Sequence, residues 1–245
     1  MSDIVRVVGV SHHYGSVTAL HEVDVEFPVG VTAVLGPNGA GKSTLLGLLS
    51  TALKAQSGSL ALGSLNSARN TREYRRQLGF LPQVFTLPGN LTVAEFLTLT
   101  AWQRLVPRKQ RKDAVNTALH AVDLIGKKDV KISQLSGGMH RRVGIAQAIV
   151  NQPHVLLLDE PTVGLDPRQR GGLRRLVSAL GQERTVILST HLTEDVAATS
   201  NRVVVINEGV VRFDGTIERL TGTQDWRATD IDTAYEALVP AGDDQ

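Results

Sequence analysis

The stretch Gly-Pro-Asn-Gly-Ala-Gly-Lys-Ser-Thr at residues 36–44 follows directly on the apolar, β-branched run at residues 31–35. That pairing restricts the fold severely. A near-continuous apolar run of this length reads as a strand buried on both faces, the kind found inside a parallel sheet. After the glycine turn, Leu45, Leu46, Leu48, Leu49 and Leu53 recur at helical spacing. Gly36, Gly41, Lys42 and Ser43 fit the pattern G-x-x-x-x-G-K-[ST], which needs this strand–turn–helix context. Along Gly36, Pro37, Asn38, Gly39, Ala40 and Gly41 the backbone N–H groups can point inward at an anion. The helix N-terminus opening at Lys42, Ser43 and Thr44 adds its own partial positive charge. The expectation is a phosphate cradle, with Lys42 on the β- and γ-phosphates of a nucleotide and Ser43 on Mg²⁺.

A nucleotide site of this kind also needs acidic groups at a strand end. Residues 155–158 are four apolar residues in a row, and Asp159 and Glu160 follow at the carboxyl end, where open α/β sheets place ligands. Asp159 suits Mg²⁺, through water, and Glu160 suits the orientation and deprotonation of an attacking water. A further buried-type strand spans 185–189, separated from 155–158 by helical pattern over 167–180, so parallel βα order is expected. Residues 23–27 alternate, with Val23, Val25 and Phe27 on one side and Asp24 and Glu26 on the other, as in an antiparallel sheet with one wet face. Residues 203–206 and 210–213 read as a hairpin around Asn207-Glu208-Gly209. The middle of the chain is helical. Thr92 and Glu95 form a capping box before a helix through Val106, Pro107 breaks it, a second helix spans 108–124, and Ser136 caps a third running to about Val150. Residues 231–239 are a candidate short helix. The polar end at residues 241–245 reads as a frayed tail.

Leu135-Ser136-Gly137-Gly138-Met139 opens the third of those helices and forms a second anion site by the same physics. One chain thus carries two phosphate-type sites and one lysine-bearing cradle. The economical arrangement is two copies meeting head-to-tail, each closing the other's cradle.

At this point the chain resembles the ATP-binding-cassette ATPases, over nearly its whole length to about residue 220. The resemblance implies ATP and Mg²⁺ as ligands and a P-loop NTPase core of α/β class. That core has a mostly parallel sheet, an N-terminal antiparallel β portion and an inserted helical subdomain. It implies one domain over residues 1–222, with the core at 1–83 and 151–222, the helical subdomain at 84–150, and a short extension at 223–245. Tyr14 stands where the family stacks an aromatic on adenine. Gln83 matches the glutamine that joins Mg²⁺ and the water to the helical subdomain. Asp166, in Pro161-Thr162-Val163-Gly164-Leu165-Asp166, matches the loop that faces the partner subunit. His191 matches the switch histidine at the γ-phosphate. By the same resemblance, residues 85–91 shape a groove for a helix of an integral membrane permease, and the chain sits in the cytoplasm on the inner face of the cell membrane. Met139 replaces the family's usual glutamine while Ser136, Gly137 and Gly138 are intact. The run LSGGMHRRVGIAQAI looks like a subgroup serving bacterial exporters.

Composition narrows the alternatives. The chain has 245 residues and a formal net charge of +2, which gives no reason to expect nucleic acid. It has no cysteine, so disulfides, zinc–thiolate sites and cysteine nucleophiles are excluded. No run approaches the length of a membrane span, and the opening residues lack the pattern of a signal peptide. Arg72, Arg75 and Arg76, and Arg108, Lys109, Arg111 and Lys112, read as solvated helix faces. His12 and His13 read as solvated, and no histidine has metal-ligand spacing. A DNA-repair relative would carry a long coiled coil between cradle and signature, and no sustained heptads occur there. A soluble cofactor-assembly ATPase of the same fold stays open.

Overall fold

The computed structural model describes residues 4–239; the polar tail expected at 241–245 lies outside them. Strands β1 (Val5–Tyr14) and β2 (Val17–Phe27) pair antiparallel, with Val5 opposite Phe27 and Val7 opposite Val25. Val23, Val25 and Phe27 are buried, and Asp24 and Glu26 face water. Strand β2 begins well before residue 23, because register shifts in β1 around Val10 and His12 let the pairing continue to the turn. Strand β3 (Gly30–Leu35) follows and is buried from Val31 onward.

Helix α1 (Lys42–Leu49) leaves the glycine turn. Leu53 is not part of it. Thr51 takes a positive φ of 61°, and Leu53 folds back to donate its N–H to the carbonyl of Gly47 (2.9 Å). Strands β4 (Ser59–Leu62) and β5 (Leu65–Asn66) complete a first sheet in the order β2-β1-β4-β5. Helix α2 (Thr71–Arg76) buries Tyr74 and leads into β6 (Leu78–Leu81).

Three helices come next. In α3 (Val93–Gln103) the expected capping box is present: Glu95 N–H donates to Thr92 Oγ1 (3.2 Å) and Thr92 N–H to Glu95 Oε2 (2.8 Å). It stops short of Val106, because Leu105 adopts a φ of 62° ahead of Pro107. Residues 108–110 form a 3₁₀ turn, so α4 (Arg111–Ala121) is shorter than 108–124, and Asp123 at φ 57° ends the segment. Helix α5 (Gly137–Ile149) starts at its Ser136 cap.

The rest of the chain alternates strand and helix as far as β9 and then closes with a strand and two helices: β7 (Val155–Asp159), α6 (Pro167–Leu180), β8 (Thr185–Thr190), α7 (Thr193–Thr199), β9 (Arg202–Asn207), β10 (Val210–Thr216), α8 (Ile217–Thr221) and α9 (Ala228–Leu238). The second sheet has the order β10-β9-β3-β8-β7-β6, with every neighbouring pair parallel except β10 and β9. That last pair is the expected hairpin. Glu208 and Gly209 both have positive φ (50° and 75°), the backbone a two-residue turn between twisted strands requires.

The period of two in the strands divides the core. Val34, Leu157 and Ile187 face Leu45 and Leu49 of α1 and the buried side of the first sheet. Leu156, Leu158 and Leu188 face the helical layer, with Leu97, Val143 and Leu173. Because β3, β7 and β8 are parallel and in register, their carboxyl ends, Leu35, Asp159 and Thr190, open on one edge. A ligand of such a sheet binds there.

Candidate functional site

The cradle at that edge is held from below. A Cβ on Gly36 would lie 2.2 Å from the carbonyl oxygen of Ile206, and one on Gly41 (φ 105°) would lie 2.4 Å from that of Ala19. Only glycine lets the loop press this closely on the neighbouring backbone. Gly209 N–H donates to Ala40 O (3.1 Å), and Ala40 N–H donates to Pro37 O (3.2 Å). Helix α1 has no side-chain cap and no acidic residue in its first turn. Its first N–H groups therefore keep their attraction for an anion.

Lys42 is 5% exposed. Its Nζ donates to Gly36 O (2.8 Å) and Pro37 O (2.9 Å) and stands 3.6 Å from Glu160 Oε1. Burial pulls the ammonium's pKa below its ordinary value, and the charges of Glu160 and Asp159 oppose that pull.

Asp159, at the end of β7, accepts on Oδ1 from Ser189 Oγ (2.5 Å) and Ser43 Oγ (3.1 Å). A hydroxyl and a carboxylate meeting at the mouth of the cradle are hard oxygen donors of the kind Mg²⁺ takes, so this chain's residues fit that ion. Glu160 has a φ of 46°, a left-handed backbone that costs a non-glycine residue about 1–3 kcal/mol. Its N–H donates to Ser189 Oγ (2.9 Å) and Ser189 O (3.2 Å). His191 Nδ1 lies 2.8 Å from Glu160 Oε2. Lys42, Ser43, Asp159, Glu160 and His191 thus form one cluster, drawn from the start of α1 and the ends of β7 and β8.

The other expected residues lie in separate places. Tyr14, at the end of β1, is 51% exposed, and the ring of His12 meets it edge-on at 4.8 Å. His12, on the stretch of β1 where the register shifts, is itself buried, not solvated. Gln83 is exposed just past β6. Ser136 caps α5, accepting from Met139 N–H (3.4 Å), and Gly137 is open to solvent. Asp166 caps α6, accepting from Gln169 N–H (2.8 Å). Gly138 lies against Gln169, beside a cavity of about 330 Å³. That cavity is lined mainly from α5 and α6 and the residues that precede them, with Asp123 and Leu124 from the segment after α4, and no cradle residue contributes to it.

Two features here had no individual sequence signal. Ser189 binds both Asp159 and Glu160, a contact only the pairing of β7 with β8 creates. Arg141 is 8% exposed among carbonyl groups. Its one legible trace is helical spacing: it falls on the buried stripe with Gly138, Ile145 and Ala148. Among the described residues no His, Asp and Glu cluster could hold a metal by itself, and no helix is long and apolar enough to cross a membrane.

A family model described as "ABC transporter" matches residues 20–163. A phosphonates import ATP-binding protein of Synechococcus is 36% identical over 86% of this chain and 87% of its own length. A sulfate/thiosulfate import ATP-binding protein of Vibrio vulnificus is 36% identical over 89% of this chain and 65% of its own. A Nod factor export ATP-binding protein of Burkholderia thailandensis is 40% identical over 72% of this chain and 58% of its own. Among solved structures, a dimeric bacterial ABC transporter cassette superposes with a TM-score of 0.76 at 26% identity, covering 87% of this chain and 98% of that one. A Clostridium perfringens protein described as part of an ABC transporter complex superposes with a TM-score of 0.81 at 27% identity, covering 98% and 97%.

Proposed function

The chain belongs to the ABC transporter family of ATP-binding proteins, and from that membership we propose that it is the ATPase subunit of a transporter, driven by closure of two copies on two ATP molecules. The observation that carries the reading is the convergence of Lys42 (3.6 Å) and His191 (2.8 Å) on the buried carboxylate of Glu160, at the mouth of the cradle.

In this reading the cradle amides from Gly36 to Thr44 and the Lys42 ammonium hold the β- and γ-phosphates. Lys42 exchanges its bonds to Gly36 O and Pro37 O for phosphate oxygens, which compensate its buried charge better than two carbonyl dipoles do. Tyr14 offers its exposed ring face to adenine. Mg²⁺ would be held by Ser43 and Asp159, with Gln83, and would supply neutralisation of the phosphate charge. Glu160 takes a proton from the attacking water as its oxygen bonds to the γ-phosphorus, and the bond to the bridging oxygen of ADP breaks. His191 fixes the Glu160 carboxylate and adds a donor near the γ-phosphate. Ser136, Gly137, Gly138 and Asp166 complete the site of the second copy, head-to-tail, since they lie apart from the cradle of their own chain.

The energy of closure passes to an integral membrane permease in a separate chain, with this subunit peripheral on the cytoplasmic face. Val84 (85% exposed), next to Gln83, and Leu99, Trp102 and Leu105, on and just after α3, are exposed apolar residues that suit a helix of such a partner. The relatives include importers and exporters; the LSGGM run favours export. The decisive test is Glu160→Gln. Turnover should fall by about 10²–10⁴-fold, and the variant should accumulate as a dimer on gel filtration with saturating ATP. A variant that stays monomeric with ATP, or turns over at the wild-type rate, would overturn the reading.

A further inference from the structure

We propose that Arg141 is a positioning residue for ATP hydrolysis: from the signature helix it fixes the backbones that carry Glu160 and Gln83. The inference rests on the ATPase reading above and assigns a role to a side chain outside it. Arg141 lies on the first turns of α5, shortly after the Ser136 cap, and its side chain runs inward. Its guanidinium donates from Nη2 to Glu160 O (2.9 Å), from Nε to Pro161 O (2.9 Å) and from Nη1 to Gln83 O (3.0 Å). Its Cζ stands 5.4 Å from the centre of the Phe85 ring, which covers one face of the group. One planar fork thus joins three segments: the start of α5, the loop after β7 and the loop after β6.

The geometry explains why an arginine is needed. Glu160 is held in a left-handed backbone, with its N–H fixed by Ser189 and its C=O accepting from Arg141 (2.9 Å) and, at the longer distance of 3.3 Å, from Val163 N–H. Without the guanidinium the carbonyl keeps only the longer bond from Val163, which lets the peptide relax toward an ordinary conformation and swings the carboxylate away from His191 and Lys42. The Gln83 carbonyl is held by the same group, so the two loops cannot shift independently. Lysine carries the charge but cannot hold three carbonyls in one plane. Because the fork is rooted in α5, a rotation of the helical layer that moves Ser136 also moves Glu160 and Gln83. That is a direct mechanical link between closure by the partner copy and alignment of the water-activating carboxylate.

The test measures kcat, KM for MgATP, equilibrium binding of a fluorescent ATP analogue and melting temperature in the full chain carrying Arg141→Ala or Arg141→Lys. Both variants should lose kcat by at least about tenfold while nucleotide affinity stays within about threefold. Millimolar guanidinium should restore part of the Arg141→Ala rate, which general loosening would not allow. Should Arg141→Ala fail to fold, Arg141→Lys retains the charge and stem and carries the same expectation. Wild-type kcat in a folded variant overturns the role, as does a loss of affinity equal to the loss of kcat, or the absence of guanidinium rescue. A wild-type chain with no ATP turnover fails the parent reading instead, and the two failures are therefore distinct.

Discussion

At the scale of single residues, the site is a small set of charges kept out of water. Lys42 and Glu160 are each about 5% exposed and stand 3.6 Å apart, beyond ideal hydrogen-bond length. The ammonium compensates by donating to two carbonyls of its own loop, and burial still lowers its pKa. Such a group is poised for a stronger acceptor. Lys42→Ala removes a charge-assisted bond worth about 1.5–3 kcal/mol, so ATP affinity should fall about 10- to 100-fold. Isothermal titration of the variant with MgATP checks this, and unchanged affinity would show that the cradle amides alone hold the phosphates.

At the scale of elements, the position of the loops depends on how closely strands approach helices. Strand β6 is short and lies directly on α5: a Cβ on Gly79 would stand 2.1 Å from the carbonyl oxygen of Ala148. That contact sets where the strand ends and hence where Gln83 emerges. Gly79→Ala must push β6 off the helix, an overpacking cost of about 1–3 kcal/mol. The melting temperature should drop by a few degrees, roughly 2–4 °C per kcal/mol for a chain of this size, and an unchanged midpoint would mean that β6 shifts freely. Nothing in the sequence marked this glycine, and β6 itself was not legible, since four residues carry too little period to separate strand from loop. Strand β1 was missed for another reason: Gly9, with a φ of 56°, and the register shifts beyond it break the alternation. Helix α6, by contrast, matched its expected bounds of 167–180, because Asp166 caps it, Pro167 opens it and its apolar stripe is clear. The cradle and the Asp159–Glu160 pair were legible for the same kind of reason: their chemistry lies in contiguous residues. Ser189 acts through partners 29 and 30 residues away and Arg141 through partners 19 or more away, so only the fold reveals them.

At the scale of the whole molecule, the C-terminal segment is built into the core. Ile231 of α9 is fully buried, with Trp226, Tyr235 and Leu238 packed around it, against Leu35 of β3, Val196 of α7 and Val203 and Val205 of β9. The hydroxyl of Thr193, the first residue of α7, donates to Asp232 of α9. Thus α9 is tied both to the strand that feeds the cradle and to the helix that follows His191. Sequence places residues 223–245 beyond the family-like portion; within residues 223–239 Ile231 alone is buried, and it is the anchor that joins the segment to the core. If α9 folds cooperatively with the rest, Ile231→Ala should cost about 2–5 kcal/mol, as for any deep core truncation, and lower the midpoint of a single unfolding transition. Ile231→Val should cost only about 0.5–1.5 kcal/mol in the same transition. If α9 were instead a loosely laid strap, its melting would separate from the main transition in urea. Ile231→Ala would then move only the minor phase, leaving the packing of β3 and β9 as stable as before.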